Sequence, residues 1–237
     1  MRDTDGDISK VDTAYTKLKD LVIHYDLVPD SKVRVLPGEH LHIDDLADRV
    51  NASATPVRQA LERLQGEGLI DSIAKRGFFS KVPNASELQD LYEFARLVLE
   101  HNITTPLDPS SVARLGRGLM KVEAVAVGHS ATKCVKHHAM TIEGVFEQIT
   151  QLSRNAQMLR MMRNFNDRSR YVRCLSILQS PDQGAQVREC LELIELLRDQ
   201  DPKGACAKLE THMCRMIVDL PELIRDARSR WTMAAAV

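Results

Sequence analysis

Between Ile43 and Val82 the hydrophobic period changes twice, and this change restricts the local fold more than any other feature of the chain. Ile43, Leu46, Ala47 and Val50 recur every three or four residues, which places them on one face of a short helix near 43–50. Asn51-Ala52-Ser53 then interrupts the pattern. Asparagine tolerates a left-handed backbone, so a tight turn fits there, and Ser53 can cap a following helix. Pro56 falls in that helix's first turn, where a missing N–H loses no intrahelical bond. Val57, Ala60, Leu61 and Leu64 form its buried stripe, and Gly66 and Gly68 stop it. Leu69 to Val82 reads as a hairpin, with Leu69, Ile70 and Ile73 on one arm and Phe78, Phe79 and Val82 on the other. Lys75-Arg76-Gly77 makes its turn, with glycine supplying the unusual dihedral.

The flanking sequence extends this pattern. Tyr15, Leu18, Val22 and Tyr25 predict an amphipathic helix over 12–27. Pro29, Pro37 and Gly38 break it, and the alternation at Val33 and Val35 predicts a short strand. Pro83 and Asn84 read as a linker, and beyond them the pattern is helical to the end. Ser86-x-x-Gln89 is a capping box, as is Ser180 with Gln183. Asp108-Pro109, Ser180-Pro181 and Asp201-Pro202 each pair a capping residue with a proline at the first helical position. Helices are expected near 87–104, 109–127, 131–153, 156–178, 181–199 and 202–218, with a last one at 221–235. The expected fold is mainly α. A winged helix-turn-helix spans 1–82, a linker 83–86, and an all-helical bundle of six or seven helices 87–237.

Composition excludes some functions. Hydrophobic residues at 43% suffice for a packed core, but aromatics at 4% leave that core to Leu, Val, Ile, Ala and Met. A net charge of −1 gives no global nucleic-acid signal, so any such function must rest on local geometry. The five cysteines, Cys134, Cys174, Cys190, Cys206 and Cys214, are odd in number and contain no C-x-x-C pair, which points to reduced cytosolic thiols. Met1 to Asp7 is acidic and polar, unlike a signal peptide. No apolar run approaches the ~20 residues of a membrane span. A cytoplasmic protein with no membrane partner is expected. No G-x-S-x-G elbow, P-loop, H-E-x-x-H or dinucleotide fingerprint occurs, so no enzyme is expected.

A helix fits the DNA major groove, with its N-terminal residues reaching base edges and phosphates. The helix after Ser53 turns Ser53, Ala54, Thr55, Arg58, Gln59 and Glu62 outward. Arg58 can reach phosphate or guanine, and the hydroxyls of Ser53 and Thr55 suit phosphate oxygens at a helix N-terminus. Lys75, Arg76 and Gly77 at the wing tip can follow the backbone. Arg49, Arg58, Arg63, Lys75, Arg76 and Lys81 outnumber Glu62, Glu67 and Asp71 in this stretch. One recognition helix reads few base pairs, so a homodimer on a palindromic double-stranded operator is expected. The competing reading is a winged helix that binds a protein partner.

Pro37-Gly38-Glu39-His40-Leu41, Leu46-Ala47, Ser53-Ala54-Thr55-Pro56-Val57-Arg58-Gln59-Ala60-Leu61, Leu64, Gly68-Leu69-Ile70 and Arg76-Gly77 together resemble the DNA-binding domain of the GntR family of regulators. The resemblance covers about residues 12–82, and the T-P-V-R-x-A-L core is its specific part. Two departures stand out. Ala54 occupies a position where the family usually has arginine, and the segment 27–36 is longer than usual. The helical second half is similar to the FadR-type subfamily with an FCD-like domain, in Leu91 to Glu100 and in Asp201-x-x-x-Ala205 through His212. That resemblance implies a small carboxylate effector and often a metal. Its aspartate and first two histidine positions hold Ile142, Phe146 and Cys190 here, leaving only His212, so no metal and no other cofactor is expected. Nor do His137 and His138, about 100° apart on a helix, share an ion. The candidate effector-binding residues are Arg96, Cys190 and His212. Arg96 either grips a carboxylate in bidentate fashion or pairs with Glu100 along its own helix. Cys190 and His212 are otherwise ordinary core residues, and redox sensing through Cys190 is a lesser variant. The function expected is a ligand-responsive repressor, with effector binding altering the spacing of the DNA-binding domains through Pro83. The alternative is an effector-free regulator whose helical domain only dimerises.

Overall fold

The structure is a computed structural model that describes residues 4–27, 34–106, 108–119 and 131–235. Contacts divide the chain into two compact units, Met1–Pro83 with Ala227–Val237, and Asn84–Asp226.

The first unit opens with α1 (Thr4–His24), which starts earlier than its apolar stripe indicates, and a single 3-10 turn at Tyr25–Leu27. Helices α2 (Ile43–Val50) and α3 (Ala54–Gly66) follow, then strands β1 (Ile70–Ile73) and β2 (Gly77–Ser80). Leu18 of α1 and Val57, Ala60, Leu61 and Leu64 of α3 are fully buried in one core with Leu46 and Val50 of α2. Both helix ends follow from their residues. Asn51 takes φ 54°, and the Ala52 and Asn51 N–H groups reach back to the carbonyls of Ala47 and Asp48 at 3.0 and 3.3 Å. At the end of α3, Gly68 (φ 72°) and Leu69 repeat this closure onto Gln65 and Leu64, each at 3.0 Å. Both are Schellman closures, which satisfy carbonyls that a bare helix end leaves open. The second closure also turns the buried Leu69 and Ile70 directly into β1.

The two strands pair antiparallel from Ile70–Ser80 to Ile73–Gly77. Lys75 (φ 62°) and Gly77 (φ 91°) close the tip, where Arg76 N–H donates to Ile73 O at 2.9 Å. The early strand expected at Val33 and Val35 is corrected. Val33 lies outside the described residues, and Val35 belongs to no strand. The pairing onto β2 falls later, as an isolated bridge between His40 and Phe79. Gly38 (φ 79°) turns the chain so that Gly38 and Leu41 donate to Ser80 O and Phe78 O. Gly77→Ala should weaken this wing by about 1–2 kcal/mol, the usual cost of a left-handed Cβ. The added Cβ would also lie 2.9 Å from His40 Nε2. Chemical denaturation of the purified protein measures the loss, and an unchanged midpoint would contradict the argument.

The second unit contains α4 (Ala85–Thr104), the short α5 (Pro109–Val112), α6 (Ala131–Gln151), α7 (Ala156–Gln179), α8 (Ala185–Arg198) and most of α9 (Pro202–Ala235). Helix α6 is central. Its Ile142, Val145, Phe146 and Ile149 are fully buried, and it packs on α4, α7 and α8. The mainly helical class, with a small wing behind the helix-turn-helix, is as the sequence indicates.

Several boundaries differ from the expected ones. Asn84, not Ser86, caps α4, accepting from Ser86 N and Glu87 N at 2.9 and 3.2 Å. Ser180 ends α7 instead of starting α8. Its hydroxyl donates to Asp182 O at 2.8 Å and Asp182 Oδ1 accepts from Gly184 N at 3.0 Å. This local turn delays α8 to Ala185, behind Gly184. The helix expected over 109–127 is four residues long: the N–H groups of Arg114 and Leu115 already bond three residues back, and Gly116 (φ 76°) and Gly118 (φ 90°) then divert the chain; its portion from 120 lies outside the described residues. The two helices expected after Pro202 are one, with Pro221 inside it. Pro221 removes one helical bond, and the burial of Leu220, Leu223 and Ile224 on either side holds the helix across it.

Candidate functional site

The leading edge of α3 is open to solvent. Ser53 occupies the N-cap with extended backbone (φ −82°, ψ 164°), yet its hydroxyl makes no capping hydrogen bond. The first N–H groups of α3 and the Ser53 hydroxyl therefore share one exposed end, the arrangement that binds an anion at a helix N-terminus. Thr55, Arg58 and Gln59 are exposed beside it, while Pro56 and Val57 point into the core. Arg58 makes no ion pair among the described residues. Arg63, one turn further, differs. It pairs with Asp12 and Glu67 at 3.2 Å, and its guanidinium lies 3.7 Å from the Tyr15 ring centroid. Of the two arginines on α3, then, Arg63 fastens the helix to α1 and Arg58 is available.

At the wing tip Lys75, Arg76 and Gly77 are all exposed, and the Arg76 guanidinium sits 5.4 Å from the Phe79 ring centroid. An exposed helix edge and an exposed basic hairpin tip on one compact unit can engage a polyanion at two places. Ala54, the first residue of α3, adds only an exposed methyl group.

The second unit has a different chemistry. Ile142 and Phe146 are fully buried, as are Cys190 and His212. Cys190 Sγ is 4.0 Å from His212 Nδ1, and the same nitrogen is 3.6 Å from Glu189 Oε2 and 3.3 Å from an Arg215 nitrogen. The Phe146 ring meets the imidazole edge-on at 6.0 Å. A divalent cation needs several converging N, O or S donors. Here two of the positions present only hydrocarbon, and among the described residues no three His, Cys, Asp or Glu side chains form a metal-holding group. The donor set does not fit a metal.

What fills the centre is an ion cluster that no sequence motif marks. Glu143, next to Ile142 on α6, is buried. Its carboxylate accepts from Arg170 Nε at 2.9 and 3.1 Å and from Arg173 at 2.7 Å. Arg173 is 1% exposed and donates a second bond to Ser169 Oγ at 2.8 Å. Burial opposes the Arg170 charge, but hydrogen bonding and attraction to Glu143 prevail and raise its pKa. Burial and the Glu143 charge push the neighbouring Cys174 thiol up to about 12, which makes it a poor nucleophile. Tyr92 lies against Phe165 with ring centroids 5.0 Å apart.

Arg96 is not part of this centre. It is about one-third exposed, 3.6 Å from Glu100 and 3.4 Å from Glu210 of α9. The structure thus shows its pairing along the helix, while Cys190 and His212 lie together elsewhere. A mostly apolar cavity of about 620 Å³ is lined in part by Ile103, Pro109, Val112, Leu197 and Arg198. Among the described residues, no helix is long and apolar enough to cross a membrane.

Comparison with known proteins agrees with this division. The model of bacterial regulatory proteins of the gntR family matches residues 10–79, and that of the FCD domain matches residues 110–215. The Nta operon transcriptional regulator of Aminobacter aminovorans is 26% identical over 193 residues, 81% of this chain and 89% of that protein. The HTH-type transcriptional regulator YdhC of Bacillus subtilis is 21% identical, over 81% of this chain and 86% of its own. Among solved structures, a transcriptional regulator GntR from Rhodococcus sp. RHA1 has a TM-score of 0.68 at 19% identity, covering 90% of this chain and 98% of that one. E. coli McbR/YncC gives 0.64 at 18% identity, covering 90% and 97%. These two establish a shared fold.

Proposed function

Since the chain belongs to the GntR family, with an FCD domain behind its DNA-binding domain, we propose that this DNA-binding transcriptional regulator is a cytoplasmic, homodimeric repressor that responds to a small-molecule effector. One observation carries the DNA-binding face: the α3 edge is exposed, its N-cap hydroxyl makes no capping bond, and Arg58 makes no ion pair among the described residues. Ser53, Thr55, Arg58 and Gln59 are assigned to the major groove, and Lys75, Arg76 and Gly77 to the neighbouring backbone or minor groove. Two-fold pairing would double the number of base pairs read and make the operator a palindrome.

Selection of bound duplexes from a random pool tests this reading. A palindrome is the expected product. Arg58→Ala should then weaken binding to the selected duplex about 10- to 100-fold, the range for one base-contacting arginine. The fold should be untouched, because the Arg58 side chain is exposed and makes no hydrogen bond or ion pair among the described residues. A variant that binds the selected duplex as the parent does would remove the recognition role from α3.

The effector is assigned to the helical unit as a small carboxylate, by likeness to the subfamily. A second reading, an effector-free regulator, draws on a specific observation. The central positions are occupied by Ile142, Phe146 and a closed Glu143–arginine cluster. A thermal-shift screen of small carboxylates separates the two, since a specific ligand raises the melting temperature.

A further inference from the structure

The first unit carries a pair of imidazoles that the DNA-binding edge does not use. His40, Leu41 and His42 lead into α2, and alternation along extended chain divides them between two faces. Leu41 is 3% exposed and anchors the segment in the core, so His40 and His42 share the outer face. The backbone there is held to β2. His40 forms the bridge to Phe79, and Leu41 N–H donates to Phe78 O at 2.8 Å. The His40 ring lies 4.8 Å from the Phe79 ring centroid, with Nε2 over Gly77. Its Nδ1 is 3.0 Å from His42 Nε2. A C–H in place of that nitrogen would leave both rings without a polar contact, so the nitrogen pair selects the ring orientation. Neither ring makes another side-chain hydrogen bond or ion pair among the described residues. His42 is exposed, and although it occupies the N-cap of α2 its side chain does no capping.

Two imidazole nitrogens this close share either a proton or a metal ion. With metal–imidazole bonds of about 2.0–2.1 Å, neighbouring ligands of a square or octahedral ion lie about 2.9 Å apart, and those of a tetrahedral ion about 3.3 Å. The observed 3.0 Å is nearer the first geometry. We propose that His40 and His42 chelate one divalent transition ion of the nickel or copper kind, with water at its remaining positions. Imidazole suits these ions, whereas magnesium and calcium take oxygen donors. Bound there, the ion would tie the entry of α2 to the base of the wing. The site is separate from the metal position of the helical unit, where Ile142 and Phe146 supply no donor, and the proposal does not rest on the DNA-binding reading.

Isothermal titration of the untagged, full-length protein with nickel chloride tests it, with magnesium chloride as the control. Nickel should bind with saturation while magnesium does not. His42→Ala should weaken nickel binding at least about tenfold, since even an outer-shell partner of a metal ligand is worth 10- to 100-fold. His42 is exposed and packs little, so this variant should stay folded. His40→Phe keeps a ring against Phe79, removes the nitrogens and should lose binding equally. Nickel should also raise the melting temperature of the parent and not of His42→Ala. The exposed thiol of Cys214 is the rival donor, and Cys214→Ser should bind nickel as the parent does. No saturable heat beyond the magnesium control overturns the proposal. So does parent-like affinity in His42→Ala, or loss of binding in Cys214→Ser.

Discussion

Leucine in place of Glu143 is expected to lower the melting temperature of the protein by roughly 10 °C or more, about 3–5 kcal/mol of destabilisation from a single side chain. The argument rests on what remains behind. Arg173 is 1% exposed, and the Glu143 carboxylate is its only ion-pair partner among the described residues. Ser169 supplies a neutral oxygen, which cannot balance the charge. Arg170 has a second carboxylate, Asp167, at 3.6 Å, and is less severely stranded. A buried ion pair adds little over a well-packed apolar pair, but half of one is costly. The double variant Glu143→Leu/Arg173→Met should therefore recover much of the loss. Calorimetric melting of the parent, the single and the double variant checks both statements. A single variant that melts within a degree or two of the parent would show that the cluster is solvated and not a buried centre.

This cluster also shows where the sequence stops being informative. Glu143 lies 27 residues from Arg170 and 30 from Arg173, so no local spacing links them. Charged residues on an amphipathic helix read as a solvent face, and only the packing of α7 on α6 turns these inward. The turn at Asn51 and the glycine exit of α3 were legible for the opposite reason. The unusual dihedral there is set by the residue itself and by partners within five positions. Ser180-Pro181 has the composition of a helix start, but Asp182 captures both Ser180 and Gly184 first. Pro221 reads as a boundary by propensity and is overridden by burial on both sides. Arg96 falls between these cases. Its pairing with Glu100 was visible in the four-residue spacing, whereas Glu210, 114 residues away, was not.

The second large effect expected is a loss of stability between neutral and alkaline pH, centred on His212. Burial works against a charged imidazole there, and Arg215 opposes it as well. Cys190 and the Glu189 carboxylate favour the charged form and prevail, raising the imidazole pKa to about 9. His212, 3.6 Å away, and Arg215, hydrogen-bonded at 2.9 and 2.5 Å, in turn hold the Glu189 carboxyl well below the usual carboxylate range. A histidine whose folded pKa exceeds its unfolded value of about 6.5 contributes its full stabilisation below that value. The contribution fades as pH rises toward 9 and is absent above it. Glu189 acts at the other end, where its contribution is present above about pH 4.5 and is lost as acid protonates it. Stability should therefore be highest near pH 5–6.5. Between pH 6.5 and 9 the melting temperature should fall by several degrees. His212→Leu should flatten this slope whatever it does to the absolute melting temperature, because leucine has no proton to lose. A parent protein whose melting temperature is level from pH 6.5 to 9, or an imidazole that titrates at or below 6.5 by NMR, would mean that His212 is neutral in the fold. The Cys190–His212 contact would then be apolar packing against Phe146 and not part of a charged pair with Glu189.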